Sequence, residues 1–136
     1  HGRFISTVTY VCLVFAATTV AIVAAAATFG PEGMRLLYGP AYEAPASDLA
    51  LLGLGAGCYL ASSTISQALL ATARASAGAV AWAVAAAIFV AVVLVSSGDD
   101  LRRVSLGVAA GMATSTVLLA VVFFLRTRAR ANRGVS

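Results

Sequence analysis

The sequence predicts an all-α integral membrane protein with four transmembrane helices in an antiparallel bundle. Of its 136 residues, 61% are hydrophobic and only 10% are charged, against about 25% charged residues in soluble domains. The charged residues also leave four long gaps, of 28, 25, 24 and 22 residues. About 20 apolar residues in a helix cross the roughly 30 Å of hydrocarbon in a bilayer. Each gap therefore predicts a membrane span, which must be helical because lipid offers backbone groups no hydrogen-bond partner.

The first span is predicted at about 4–29, a stretch rich in alanine and valine without a polar face. Gly30-Pro31 is expected to stop this helix, because proline lacks the N–H group that continuation needs. The connection that follows contains the other two prolines. Tyr38 and Tyr42 in this connection are expected at headgroup depth, where amphipathic rings are favoured.

The second span is predicted at about 49–73, with Ser47 or Asp48 as its N-cap. Five polar residues make its later part the most polar membrane stretch of the chain: Ser62, Ser63, Thr64, Ser66 and Gln67. Gln67 must face protein or water, because burying its amide against lipid without partners is costly. Two interpretations stay open: these side chains form hydrogen bonds between helices, or they line a polar cavity for a sugar-bearing substrate.

Small residues predict close packing of the second and fourth spans. Gly53 and Gly57 stand four residues apart in the second span, and Gly107 and Gly111 form a G-x-x-x-G frame in the fourth. Helices approach each other closely in lipid at such positions, because no side chain separates the backbones. We therefore expect these four glycines at helix contacts.

The third and fourth spans are predicted at about 79–95 and 104–125. A short turn joins the second span to the third, so these two helices are expected to be antiparallel neighbours. The loop 96–103 contains two adjacent aspartates, which make no metal site without a histidine or a third acid nearby. The tail 126–136 alternates arginine with small residues, and we expect it to be a basic cytoplasmic anchor without fixed structure.

The arginines predict the orientation. With four alternating spans, six arginines lie on the side of both termini and three on the other side, together with all five acids. Arginine and lysine are enriched in cytoplasmic segments. The counts therefore predict a multi-pass protein of the cytoplasmic membrane with both termini of this segment in the cytoplasm.

The absence of certain residues excludes several function classes. No acidic residue lies within a predicted span, whereas ion-coupled carriers and small four-span multidrug exporters use an ionisable group in the membrane. The only histidine is the terminal His1, so no Ser/His/Asp, Cys/His or paired-carboxylate set is available for catalysis. We expect no enzyme, no cofactor and no metal. The basic residues stand at span ends instead of forming a surface stripe, so no nucleic-acid partner is expected.

A family resemblance rests on the succession of turns and spans between residues 35 and 74. An aromatic-Gly-Pro turn with an acidic and an aromatic neighbour follows the first span: Tyr38, Gly39, Pro40, Tyr42 and Glu43. A polar-dotted span then ends at the basic turn Ala73-Arg74, and two more spans and a basic tail follow. In this order the chain resembles the carboxy-terminal part of polysaccharide-biosynthesis flippases, the lipid-linked oligosaccharide exporters of the multidrug/oligosaccharidyl-lipid/polysaccharide superfamily.

The resemblance covers essentially the whole chain and corresponds to about the last four of twelve or more helices. It implies helical bundles around a central cavity that opens alternately to the two sides, while the lipid tail stays near the bilayer. The chain is too short to enclose such a cavity by itself. We therefore expect it to belong to a longer flippase, with membrane lipids, a lipid-linked glycan and the remaining helices of the same transporter as its partners.

The resemblance also implies roles for particular residues of the second span. Gln67, Ser63 and Ser66 would bond sugar hydroxyls in the cavity, and Arg74 would attract a pyrophosphate near the cytoplasmic mouth. The alternative is a stand-alone four-span protein with a structural or assembly role, whose glycine faces bind other membrane subunits.

Overall fold

A computed structural model of the chain describes the backbone of residues 2–70 and 75–133 and the side chains of residues 10–11, 13–70 and 76–125. The described residues form four α-helices and no strand: α1 Gly2–Tyr38, α2 Ala46–Leu70, α3 Ala75–Val95 and α4 Asp100–Arg133. Each helix is long and apolar enough to cross a membrane. The prediction of an all-α, multi-pass membrane protein with four helices is confirmed.

In space the helices follow the order α1, α2, α4, α3. α2 packs against α1 and against α4, and α3 packs mainly on α4. α2 and α3 are consecutive in the chain but touch over only a small area, so the expectation that they are close neighbours is met only in part. Within the described chain, α1 contacts no helix except α2. α1 and α3 thus lie at the two ends of this order, and α2 and α4 form the centre.

α1 continues through Gly30-Pro31, so the predicted end of the first span is wrong. Proline is tolerated inside membrane helices, where uncoiling would leave more backbone groups without partners than the one bond that proline loses. Gly30 also packs closely on α2: a methyl group built on it would lie 2.7 Å from Leu49 Cδ1. The helix ends instead before the next Gly-Pro pair, where Gly39 has a φ of 97° that favours glycine.

α2 begins at Ala46, earlier than predicted. The Pro45 carbonyl accepts the backbone N–H groups of Asp48 and Leu49 at 3.0 and 3.2 Å, so neither residue proposed as the N-cap has that role. Asp48 lies in the first turn, and its carboxylate is directed to another helix. The predicted last residues of this span, 71–73, lie outside the described part of the chain.

α3 begins at Ala75, before its predicted start, and ends at Val95 as predicted. α4 begins at Asp100 and extends to Arg133, so the expectation of a tail without fixed structure is wrong for residues 126–133. The tail continues an existing helix and therefore needs no costly nucleation, and alanine and arginine are among the best helix formers.

The small apolar core joins three of the helices. Leu69 of α2, Ala81 of α3 and Leu119 of α4 form it, and each is at most 4% exposed. By contrast, the most apolar stretch of α1 has no buried residue. Most of the surface of α1 is therefore available to lipid or to further protein.

Candidate functional site

The polar side chains of α2 point to different sides of the helix. Successive residues of a helix turn by about 100°, so Ser62 and Ser66 lie toward α4 and α3, whereas Thr64 and Gln67 lie on the face that packs against α1 near Gly53. The two groups of polar side chains therefore have different surroundings.

Ser62 is a packing residue between α2 and α4. It is 0% exposed, and its hydroxyl is 2.9 Å from that of Thr116. The Thr116 Oγ1 is also within 3.0 Å of the Cys58 carbonyl and 2.9 Å of the Met112 carbonyl. Because Thr116 has one proton, it donates to a carbonyl while Ser62 donates to Thr116. This network ties the middle of α2 to α4.

Ser66 also takes part in a contact between helices. The Trp82 Nε1–H group of α3 donates to Ser66 Oγ over 3.1 Å. The Trp82 ring meets Tyr59 edge to face, with ring centroids 5.8 Å apart, a geometry favoured by the ring quadrupoles. These contacts join α2 to α3, and they engage the side-chain oxygen of Ser66, a residue predicted to line the cavity.

The remaining candidates are open or outside the described residues. Gln67 is exposed, and its amide makes no hydrogen bond within the described chain. Ser63 is half-buried. The Thr64 hydroxyl is exposed and donates to the Leu60 carbonyl of its own helix over 2.9 Å. Arg74 lies outside the described residues.

The exposure of this face follows from the path of α1. Near the start of α2 the two helices are in close contact: a methyl group built on Gly53 would lie 3.1 Å from Ala26 Cβ, and one on Gly57 would lie 2.5 Å from Thr19 Cγ2. Two glycines on one face of α2 thus bring α1 against it.

Farther along α2 the same face is open. Leu60 is 43% exposed, and Thr64 and Gln67 are exposed as well. These exposures indicate that α1 and α2 diverge beyond Gly57, and the divergence leaves the polar face of α2 uncovered.

The glycines of α4 lie against α3. A methyl group built on Gly107 would lie 2.8 Å from Val93 Cγ2, and one on Gly111 would lie 2.9 Å from the Ala85 carbonyl oxygen. The small-residue faces at Gly53 and Gly57 and at Gly107 and Gly111 are therefore occupied by helices of this chain. They offer little surface for the binding of other subunits through those glycines.

An ion pair that was not predicted lies at the start of α2. Arg102 Nη1 donates to Asp48 Oδ1 over 2.8 Å, and the Asp48 side chain is 6% exposed against 43% for Arg102. The next residue, Arg103, donates through Nε and Nη2 to the Val93 carbonyl at 3.0 and 2.7 Å. The tandem arginines at the start of α4 thus hold both α2 and α3. The alternation of spans was a signal for this pair, because it put Asp48 and Arg102 at the same membrane face.

No protein-family model matches the chain, and no similar curated protein or solved structure was found. Among the described residues, no group of three or more His, Cys, Asp or Glu is placed to hold a metal ion. A function must therefore be inferred from the polar face of α2 and its surroundings.

Proposed function

We propose that the chain is part of a membrane flippase that translocates lipid-linked oligosaccharide or polysaccharide precursors across the cytoplasmic membrane. The observation that supports this proposal is the exposed Gln67 amide on a membrane-spanning helix. An amide that meets only lipid has no hydrogen-bond partner and is costly there. In the membrane this face of α2 therefore meets water in a cavity or further polar protein.

The groups on this face suit a carbohydrate. A glutamine amide offers two donors and an acceptor, and each hydroxyl both donates and accepts, which matches the hydroxyl groups of a sugar. Within 49–70 the described helix carries no charged residue. Neutral polar groups of this kind favour an uncharged glycan over an inorganic ion. In the proposal Gln67 and Ser63 bond the sugar, and Arg74 attracts the pyrophosphate of the lipid carrier.

The divergence of α1 and α2 favours a substrate that keeps its lipid tail. The opening lies between two neighbouring helices, and α1 contacts no described helix other than α2. A glycan at Gln67 can therefore reach polar groups while its lipid tail remains in the bilayer. Further helices of the same transporter would complete the cavity around this face.

The proposal is tested by replacing Gln67 with Ala in the full-length protein and measuring polymer export at matched protein levels. A neutral hydrogen bond contributes about 0.5–1.5 kcal/mol, and about 1.4 kcal/mol corresponds to a factor of ten. Export is expected to fall about two- to tenfold. Arg74→Ala is expected to lower export as well, because the pyrophosphate loses its counter-charge.

Ser62→Ala is the matched control, since it removes a polar group from the same helix but from the α4 interface. Its export is expected to stay near that of the unsubstituted protein. Unchanged export in both Gln67→Ala and Arg74→Ala would overturn the proposal. If Gln67→Ala instead abolishes a complex with another membrane protein while export is normal, the assembly role takes its place.

A further inference from the structure

A shallow apolar groove lies along the first half of α2, between α1 and α4. Its volume is about 450 Å³, and it is lined by Val23, Ser47, Ala50, Leu51, Leu54 and Arg102. By helical period, Ala50 and Leu54 lie roughly opposite Tyr59, the α2 side chain that meets Trp82 of α3. The groove is thus on the face that α3 leaves open, and at the opposite end of α2 from Gln67.

The position and lining of the groove fit a hydrocarbon chain. From Ser47 to Leu54 the helix rises roughly 10 Å, so the groove starts at the membrane surface and enters the apolar layer. Its walls are aliphatic except at the Ser47 and Arg102 rim. A polar ligand would lose its hydration there without gaining hydrogen bonds. An acyl chain from the surrounding bilayer has no hydration to lose.

Arg102 at the rim has donors left for a phosphate. Its side chain is 43% exposed, and within the described chain the guanidinium donates only through Nη1, to Asp48. An arginine has five N–H donors, and a guanidinium edge matches two phosphate oxygens. A phosphodiester can therefore bind Arg102 without breaking the ion pair.

The charges at this end of the molecule select the headgroup. Two sets of described residues lie here, the carboxylates Glu32, Glu43, Asp48, Asp99 and Asp100 and the arginines Arg35, Arg102 and Arg103. The excess of negative charge repels a headgroup with a net negative charge and attracts an ammonium group. A headgroup with both a phosphate and a primary ammonium suits this surface best.

We propose that the groove binds one zwitterionic phospholipid of the phosphatidylethanolamine class. One acyl chain lies along Ala50 and Leu54, the phosphate is bound by Arg102, and the ammonium faces the carboxylates of the neighbouring loops. The bound lipid fills the space between α1 and α4 and so supports α1, which within the described residues contacts no helix but α2. This binding does not depend on the proposed transport and holds for either function.

The test is native mass spectrometry of the purified, delipidated protein with phosphatidylethanolamine and with phosphatidylglycerol of the same acyl chains. One phosphatidylethanolamine is expected to remain bound, with at least a fivefold preference over phosphatidylglycerol. It is also expected to raise the melting temperature, because a ligand that binds only the native state stabilises it. Equal binding of the two lipids, or tighter binding of phosphatidylglycerol, would overturn the proposal.

Two variants separate the groove from the rim. Ala50→Phe fills the groove and is expected to weaken phosphatidylethanolamine binding about tenfold, whereas Ala56→Phe, at an exposed position of the same helix outside the groove lining, is expected to leave it unchanged. Retention of the lipid by Ala50→Phe equal to that of Ala56→Phe would also count against the groove. The double variant Asp48→Asn with Arg102→Gln leaves no unpaired charge, and it is expected to bind phosphatidylethanolamine more weakly because Arg102 no longer binds the phosphate. Should Ala50→Phe fail to fold, the comparison of the two lipids on the unsubstituted protein decides.

Discussion

The two ends of α2 contain polar side chains in opposite situations. At its start, Asp48 is 6% exposed and is paired with Arg102. Near its end, the Gln67 amide is exposed and has no partner within the described chain. A buried charge requires a partner because its desolvation is very costly, whereas an exposed amide can be satisfied by whatever surrounds the protein. The carboxylate at the start of α2 thus has its partner within the chain, whereas the amide near the end of α2 depends on what surrounds the protein.

The largest effect is expected at the start of α2, where Asp48 is paired with Arg102. Arg102→Ala leaves the Asp48 carboxylate buried without its counter-ion, and removing one partner of a buried pair costs about 3–5 kcal/mol. Since Arg102 is 43% exposed, we expect a smaller loss, about 2–3 kcal/mol, in the free energy of unfolding measured by denaturant titration in mixed micelles. Arg35→Ala, at an exposed arginine without an ion pair in the described chain, is the control and is expected to have little effect. A loss at Arg102 no larger than that at Arg35 would show that the pair adds no stability.

The next effect concerns the point where α1 and α2 diverge. Gly57→Ala puts a methyl group 2.5–2.8 Å from three atoms of the Thr19 side chain, and overpacking of this kind costs about 1–3 kcal/mol. The variant is expected to have a lower free energy of unfolding. Its α1 is also expected to lie farther from α2, so that cysteine pairs introduced across this interface form disulfides less readily. Gly33→Ala is the matched control, because no described atom lies within 4 Å of a methyl group built there and alanine favours a helix by about 1 kcal/mol over glycine. If both variants have the same stability, the close approach at Gly57 is not needed to hold α1.

The smallest effect compares the two polar faces of α2 directly. Ser62→Ala removes the hydrogen bond to Thr116, and such bonds contribute about 0.6 kcal/mol on average within membranes. Gln67→Leu is expected to change the free energy of unfolding in micelles by less than about 0.5 kcal/mol, because no described residue bonds to the amide. A larger loss at Gln67 than at Ser62 would mean that the amide has a partner within the protein, and the contrast between the two faces would be lost.

The Gly-Pro pairs show what local sequence can and cannot predict about this fold. Gly30-Pro31 and Gly39-Pro40 are the same dipeptide. A rule based only on backbone chemistry predicts that the helix ends at the first pair. The structure ends it before the second, because Gly30 is held against Leu49 of α2, whereas Gly39 takes a positive φ and a methyl group built on it would meet no described atom within 4 Å. The outcome depends on a contact between residues that are distant in sequence, which local rules do not contain.

The candidate site was predictable to a similar extent. The cluster of polar residues in the second span was evident from their types alone, because such groups are rare in apolar helices. Which of these residues have partners was not evident from the sequence. Ser62 and Ser66 bond to Thr116 and Trp82, whereas Gln67 bonds to no described residue. This division depends on which helix lies on each side of α2, and the short connection between the second and third spans pointed to α3 where the structure has mainly α4.

The sequence by itself determined that this chain has four membrane-spanning helices, because charged residues are too costly in hydrocarbon to stand anywhere but at the ends of spans. It also determined which residues are polar enough to require partners. Only the tertiary structure decided which partners they have, since neighbouring helices in lipid are chosen by the fit of small and large side chains across their interfaces and not by a difference in hydrophobicity. That fit brings Arg102 to Asp48 and takes α1 away from Gln67.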